Sequence, residues 1–183
     1  MKAADLFRAY YDCRQNKRKT RNATDFEIDY ETKLFQLYDD IVGRRYEVGR
    51  CVAFIVDRPV KREIFAGDFR DRVVHHYVIN EIGDAIDRTF IHDSYACRVG
   101  KGALFGIRRA EAFARSCSGT FTKEAHVLKL DISGFFMSID RRILLAMLER
   151  TVERKYRGED PETLLFLMRK ILGNDPTENC FIR

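Results

Sequence analysis

Asp131 is the residue with the most to offer chemically. It stands in the run Val127 to Ile132, where Leu128, Leu130 and Ile132 alternate with Val127, Lys129 and Asp131. That period predicts a half-buried β-strand with one apolar face and a carboxylate near its end. Ser133-Gly134 follows as a tight turn, so the acid is expected to be held by a sheet and left open to a ligand. Such an aspartate can simply cap the turn. Its functional use is as a hard oxygen ligand for Mg²⁺, which is commonly bound through one or two carboxylates together with substrate phosphates. In two-metal nucleotidyl transfer the ions act on the attacking and the leaving oxygens, and a site of that kind needs more carboxylates than Asp131 alone. The nearby Asp140 lies beyond the turn and suits a helix cap.

Other chemistry-bearing residues are less suggestive. Cys13, Cys51, Cys97, Cys117 and Cys180 are scattered, odd in number and lack zinc-type spacing, as reduced thiols of an intracellular protein would be. His75 and His76 are adjacent and cannot share an ion as an i, i+4 pair could. Gly100-Lys101-Gly102 lacks the rest of a phosphate-cradling P-loop. Arg14, Lys17, Arg18, Lys19 and Arg21 form a basic run with no acid inside it: a solvated surface on the plain reading, a phosphate contact on the functional one.

The elements that must position these residues are mixed. Thr24 to Val42 carries Phe26, Tyr30, Leu34, Leu37, Tyr38 and Ile41 at helical spacing, predicting one amphipathic helix that ends near Gly43. Cys51 to Val56 and Lys61 to Ala66 read as two strands around the turn at Asp57 to Val60, a β-hairpin presenting Arg58, Lys61 and Arg62. Asp68 to Phe90 predicts a helix with Val74, Val78, Ile82, Ala85 and Ile86 inward and Asp71, Arg72, Asn80, Asp84 and Arg88 outward. Residues 103 to 117 predict another. Ser138 or Asp140 is expected to cap a helix from about Arg141 to Arg157 that buries Ile143, Leu144, Met147, Leu148 and Val152. Pro161 at a first helical position and Gly173 after Leu172 bracket a last helix, and Cys180-Phe181-Ile182 reads as the beginning of a strand.

The 183 residues, 45% hydrophobic with 14 Phe and 8 Tyr but only three prolines, exclude collagenous, low-complexity and linker-dominated classes. The net charge is +5. No apolar run approaches the roughly 20 residues of a membrane-spanning helix, and the N-terminus lacks the apolar block of a secretory signal. The expected compartment is therefore the cytoplasm, with no membrane partner.

The string KLDISGFFMSID closely resembles motif A of reverse transcriptases, as found in bacterial retroelement enzymes of the group II intron, retron and diversity-generating types, with the last the nearest in flavour. Upstream, RPVKREIFAGDFRDRVVHHYV is similar to the fingers segment of that family and FIHDSYACRVGKGAL to its next block, so the likeness covers about residues 51 to 150 in the right order. It implies an α+β fold, the fingers and partial palm of a right-hand polymerase, mostly helical with a fingers β-hairpin and a palm strand. Residues 1–50 would be an N-terminal helical region, 51–125 the fingers, and 126–183 the start of the palm.

The resemblance implies roles one residue at a time. Asp131 matches the first metal-binding aspartate and the Ile132 carbonyl the backbone ligand for Mg²⁺ or Mn²⁺. Phe136 matches the steric gate under the sugar, implying dNTP over rNTP; a ring that fills the volume of a 2′-hydroxyl without offering it a hydrogen bond would do this. Arg62, with Arg58 and Lys61, matches the cations that grip the triphosphate. Arg98 and Lys101 match template contacts. The implied partners are an RNA template, a DNA or RNA primer, dNTPs and a retroelement accessory protein.

One departure matters. The family also carries a Tyr-x-Asp-Asp string downstream of motif A, and nothing after Asp131 supplies it. Tyr38-Asp39-Asp40 has the wrong spacing, precedes the fingers and sits in a helical stripe. The expectation is thus an N-terminal part of an RNA-directed DNA polymerase, inactive by itself, with the rest of the palm and the thumb absent. Two other readings stay open: a non-catalytic nucleic-acid-binding module derived from polymerase fingers, and, more weakly, an unrelated Mg²⁺-dependent phosphoesterase.

Overall fold

The computed structural model describes residues 1–15, 20–58 and 61–182. Lys17, Arg18 and Lys19 of the basic run, and Pro59-Val60 of the hairpin turn, lie outside the described residues. The chain is a mixed α and β protein that divides into two compact units, Met1–Ala85 with Asp140–Arg183, and Ile86–Ile139. No helix among the described residues is long and apolar enough to cross a membrane.

The first unit holds the apolar core. In α1 (Ala3–Arg14), Leu6, Ala9, Tyr10 and Cys13 repeat at i, i+3, i+4 and i+7 and are all buried. They meet Ala23 and Phe26 of α2 (Arg21–Glu27) and Leu34, Leu37 and Ile41 of α3 (Tyr30–Val42). Burying one such large side chain is worth about 1.5–3 kcal/mol. Aromatic rings fill the space between the helices. Tyr10 stacks on Tyr30 at 4.9 Å, and Phe26 tilts against Phe69 at 5.3 Å. The single helix expected over 24–42 is instead two. Asp29 leaves the helical conformation with φ −146°, its carbonyl starts α3 by accepting from the Lys33 amide, and Ile28 is left in solvent. A short polar residue that prefers helix starts over helix interiors wins over the apolar periodicity.

The hairpin forms where the alternation places it. β1 (Cys51–Val56) pairs antiparallel with β2 (Arg62–Ala66) in a register running from Val52 opposite Ala66 to Val56 opposite Arg62. The other edge of β1 is taken by β3 (Cys180–Ile182), which pairs parallel with Cys51 opposite Cys180, giving the order β2-β1-β3. The strand signal at Cys180-Phe181-Ile182 is thereby realised within this chain.

α4 (Phe69–Asp87) buries Phe69, Val73, Val74, Tyr77, Val78 and Ile82, close to the expected stripe. Asp71, expected on its polar face, is buried instead. Its carboxylate accepts from the Tyr46 hydroxyl at 2.9 Å and the Gly49 amide at 2.9 Å, which compensates the desolvation. Burial still pushes its pKa up, against those two hydrogen bonds. α7 (Arg141–Lys155) begins on Asp140, whose carboxylate accepts from the Arg142 and Ile143 amides at 2.8 and 3.3 Å. Ile143 and Met147, expected to be buried, are 62% and 59% exposed, and of the expected set only Val152 is buried. α7 therefore packs on α8 (Pro161–Gly173) through part of its apolar stripe. Asp160 caps α8 by accepting from the Thr163 amide at 2.9 Å.

In the second unit, α5 (Ala103–Cys117) and the short α6 (Phe135–Ser138) are joined by irregular chain. The strand expected over Val127–Ile132 is not formed. Leu128 and Leu130 are each 81% exposed, and among the described residues no strand pairs with this segment. An extended segment becomes a β-strand only when a neighbour satisfies its backbone groups and covers a face.

Candidate functional site

Asp131 lies at the exposed end of this irregular stretch, and its Oδ1 accepts from the following Ile132 amide at 3.0 Å. Gly134 then turns the chain with φ +62°, a left-handed conformation in which a Cβ would be strained. The turn starts α6, which presents Phe135 and Phe136 edge to face at 5.2 Å. Phe136 is 84% exposed. One tight turn thus places a carboxylate, the Ile132 carbonyl and an aromatic ring within a few residues of each other. A carboxylate and an adjacent carbonyl are the hard oxygen donors that Mg²⁺ or Mn²⁺ takes, and Asp131 with the Ile132 oxygen would hold one edge of such an ion. The ion would polarise phosphate oxygens when bound. Its remaining ligands are not supplied by this turn, and among the described residues no three His, Cys, Asp or Glu side chains converge on a common point.

Arg98 and Lys101 sit together in the loop between α4 and α5. Arg98 is clasped from within. Its Nε and Nη2 donate to the Asp87 carboxylate at 2.5 and 2.9 Å, and Nη1 to the Ile91 carbonyl at 2.9 Å. This hydrogen-bonded pairing holds the Asp87 carboxyl below its ordinary range. Lys101 donates to the His92 carbonyl and lies 5.7 Å from the centre of the Phe105 ring.

A second anchor follows. Asp93 accepts from Arg109 of α5 through Nε at 2.7 Å and Nη2 at 3.1 Å, and from the Tyr95 hydroxyl at 2.6 Å. Arg109 above all, then Tyr95, hold the Asp93 carboxyl well below the usual carboxylate range. Gly106 lets the Tyr95 ring approach α5, since a Cβ there would come to 3.0 Å from the ring. Residue patterns gave no sign of Asp87 or Asp93 as organisers. Each meets its arginine 11 and 16 residues away, after the chain has reversed, with no fixed spacing to betray it.

On the hairpin of the first unit, Lys61 and Arg62 are exposed at the start of β2 and Arg58 is exposed in the turn. Among the described residues none of the three has an ion-pair partner. Asp57 and Glu63 share this finger with them, and exposed cations outside any ion pair can meet phosphate at little desolvation cost. Asp39 and Asp40, the near miss to a catalytic pair, belong to α3, where Asp40 accepts from Arg70 at 2.9 Å. His75 is exposed and His76 half-buried on α4.

No protein-family model matches this chain, and neither does any curated protein.

Proposed function

We propose that this chain is the fingers and opening palm segment of an RNA-directed DNA polymerase of bacterial retroelement type, acting in the cytoplasm. The observation that carries the reading is the string Lys129 to Asp140, KLDISGFFMSID, preceded in order by a cation-bearing hairpin and a basic glycine turn. The β1/β2 hairpin and the left-handed turn at Gly134 are compatible with it. On this reading Asp131 and the Ile132 carbonyl hold Mg²⁺ or Mn²⁺, and Phe136 excludes a ribose 2′-hydroxyl. Arg58, Lys61 and Arg62 bind the triphosphate, and Arg98 and Lys101 lie toward an RNA template paired with its primer. Nucleotidyl transfer further requires paired carboxylates that residues 132–183 do not provide as a Tyr-x-Asp-Asp string, so residues 1–183 alone are inactive.

The second reading, a nucleic-acid-binding module without chemistry, is favoured by one specific observation: the hairpin cations are exposed, while among the described residues no three His, Cys, Asp or Glu side chains gather as a metal site would need. Comparing Asp131→Asn with the parent protein, expressed from its complete reading frame, separates the two. The polymerase reading predicts loss of dNTP incorporation with template–primer binding kept. Binding in both proteins with incorporation in neither supports the module.

A further inference from the structure

Cys51 and Cys180 are directly opposed on the neighbouring parallel strands β1 and β3. The Cys51 amide donates to the Asn179 carbonyl at 3.0 Å, which fixes the register at the cysteine pair itself. Residues opposed in this way project to the same face of a sheet. Both thiols also lie against one turn. Cys51 Sγ donates to the Pro176 carbonyl at 3.4 Å, and Cys180 Sγ to the next carbonyl along the chain, that of Thr177, at 3.7 Å. Neither sulfur is in a disulfide. Adjacent-strand spacing of about 4.8 Å falls within the Cα separation of roughly 4.4–6.8 Å that a disulfide spans.

The strand that carries Cys180 is otherwise lightly held. It is three residues long and, among the described residues, pairs on one side only. The Asn179 side chain donates to the Val48 and Gly49 carbonyls at 3.3 and 3.4 Å, and Arg50 donates to the Cys180 carbonyl at 2.9 Å while lying 3.7 Å over the Phe181 ring. We propose that Cys51 and Cys180 form a reversible redox pair, a disulfide that pins β3 to β1 across the base of the hairpin when a small-molecule disulfide such as oxidised glutathione accumulates.

The two positions differ in a way that orders the steps. Cys51 is buried, at 5% exposure, whereas Cys180 is half-exposed. The Cys180 thiolate therefore attacks the glutathione disulfide first, releasing one glutathione thiolate and leaving a mixed disulfide. The Cys51 sulfur, having given up its proton to solvent, then attacks Sγ of Cys180 and expels the second glutathione. Two protein thiols are oxidised and one glutathione disulfide is reduced to two thiols. Burial, with Cys180 as the next contributor, raises the Cys51 thiol above its ordinary pKa, which slows this second step at neutral pH without blocking it.

The test uses the 183-residue chain with Cys97→Ser and Cys117→Ser, two exposed thiols outside the pair. After equilibration with oxidised glutathione, non-reducing peptide mapping should find Cys51 joined to Cys180, with both thiols lost to alkylation and recovered by dithiothreitol. Amide exchange at 180–182 should slow, and the unfolding midpoint should shift upward on oxidation but not in Cys180→Ser. A terminal mixed disulfide at Cys180 with Cys51 still alkylatable after denaturation would overturn the proposal, and so would a link from either cysteine to Cys13. Cys180→Ser, at a half-exposed edge position, keeps the comparison available if Cys51→Ser does not fold.

Discussion

Asp131 and Asp71 are both aspartates near the start of a turn or helix, and their surroundings give them opposite uses. Asp71 is enclosed and its two acceptor oxygens are met by Tyr46 and Gly49. Asp71→Ala would strand a buried hydroxyl and an amide, and should lower stability by about 1–3 kcal/mol in denaturant unfolding. Asp131 is in solvent, so Asp131→Asn should change stability by less than about 0.5 kcal/mol, which leaves any functional loss attributable to chemistry. Phe136→Ala tests the gate. On the polymerase reading it should admit ribonucleotides, measured as the ratio of dNTP to rNTP incorporation, and an unchanged ratio would remove Phe136 from that role.

Among the elements, the loop that carries Arg98 and Lys101 depends on carboxylates that must stay ionised. Asp93 is depressed in the folded state by Arg109 and Tyr95, so its contribution is present above the unfolded carboxylate value of about 3.9 and is lost as pH falls below that toward the folded value. Protease susceptibility of the 92–109 segment should therefore rise on acidification in the parent protein. In Asp93→Asn it should already be high at neutral pH and change little with acid. The cap on α7 gives an independent check. Asp140→Ala should cost roughly 0.5–2 kcal/mol, read as a lower denaturant midpoint.

These elements also show what residue patterns could and could not reveal. The hairpin, α5, the Asp140 cap, the start of the last helix at Pro161 and the final strand were legible because each rests on local signals: alternation, a capping side chain, a proline at the first turn. The break at Asp29 and the burial of Asp71 were not, because they depend on neighbours brought in by tertiary packing. Val127 to Ile132 carries a clear strand alternation yet stays unpaired, since periodicity describes a segment's preference and a strand needs a partner. At the candidate site the turn around Gly134 was legible, whereas the Asp87 and Asp93 clasps that shape the basic loop were not.

For the molecule as a whole, a net charge of +5 is modest, and it is the placement of exposed cations on the hairpin that gives it consequence. Binding of an RNA–DNA duplex should weaken steeply with salt. On the binding-module reading, where the hairpin cations themselves contact nucleic acid, replacing Lys61 and Arg62 by Ala should lower the affinity and flatten the salt slope by about 1 to 2. A slope unchanged in that variant would place the contact elsewhere. Primer extension on an RNA template with dNTPs and Mg²⁺, using the protein expressed from its whole reading frame, decides whether Asp131 serves the proposed nucleotidyl transfer. cDNA should form with the parent protein and not with Asp131→Asn or with residues 1–183 alone; full extension by the Asp131→Asn protein, or none by the parent, would rule out a nucleotidyl-transfer role for Asp131.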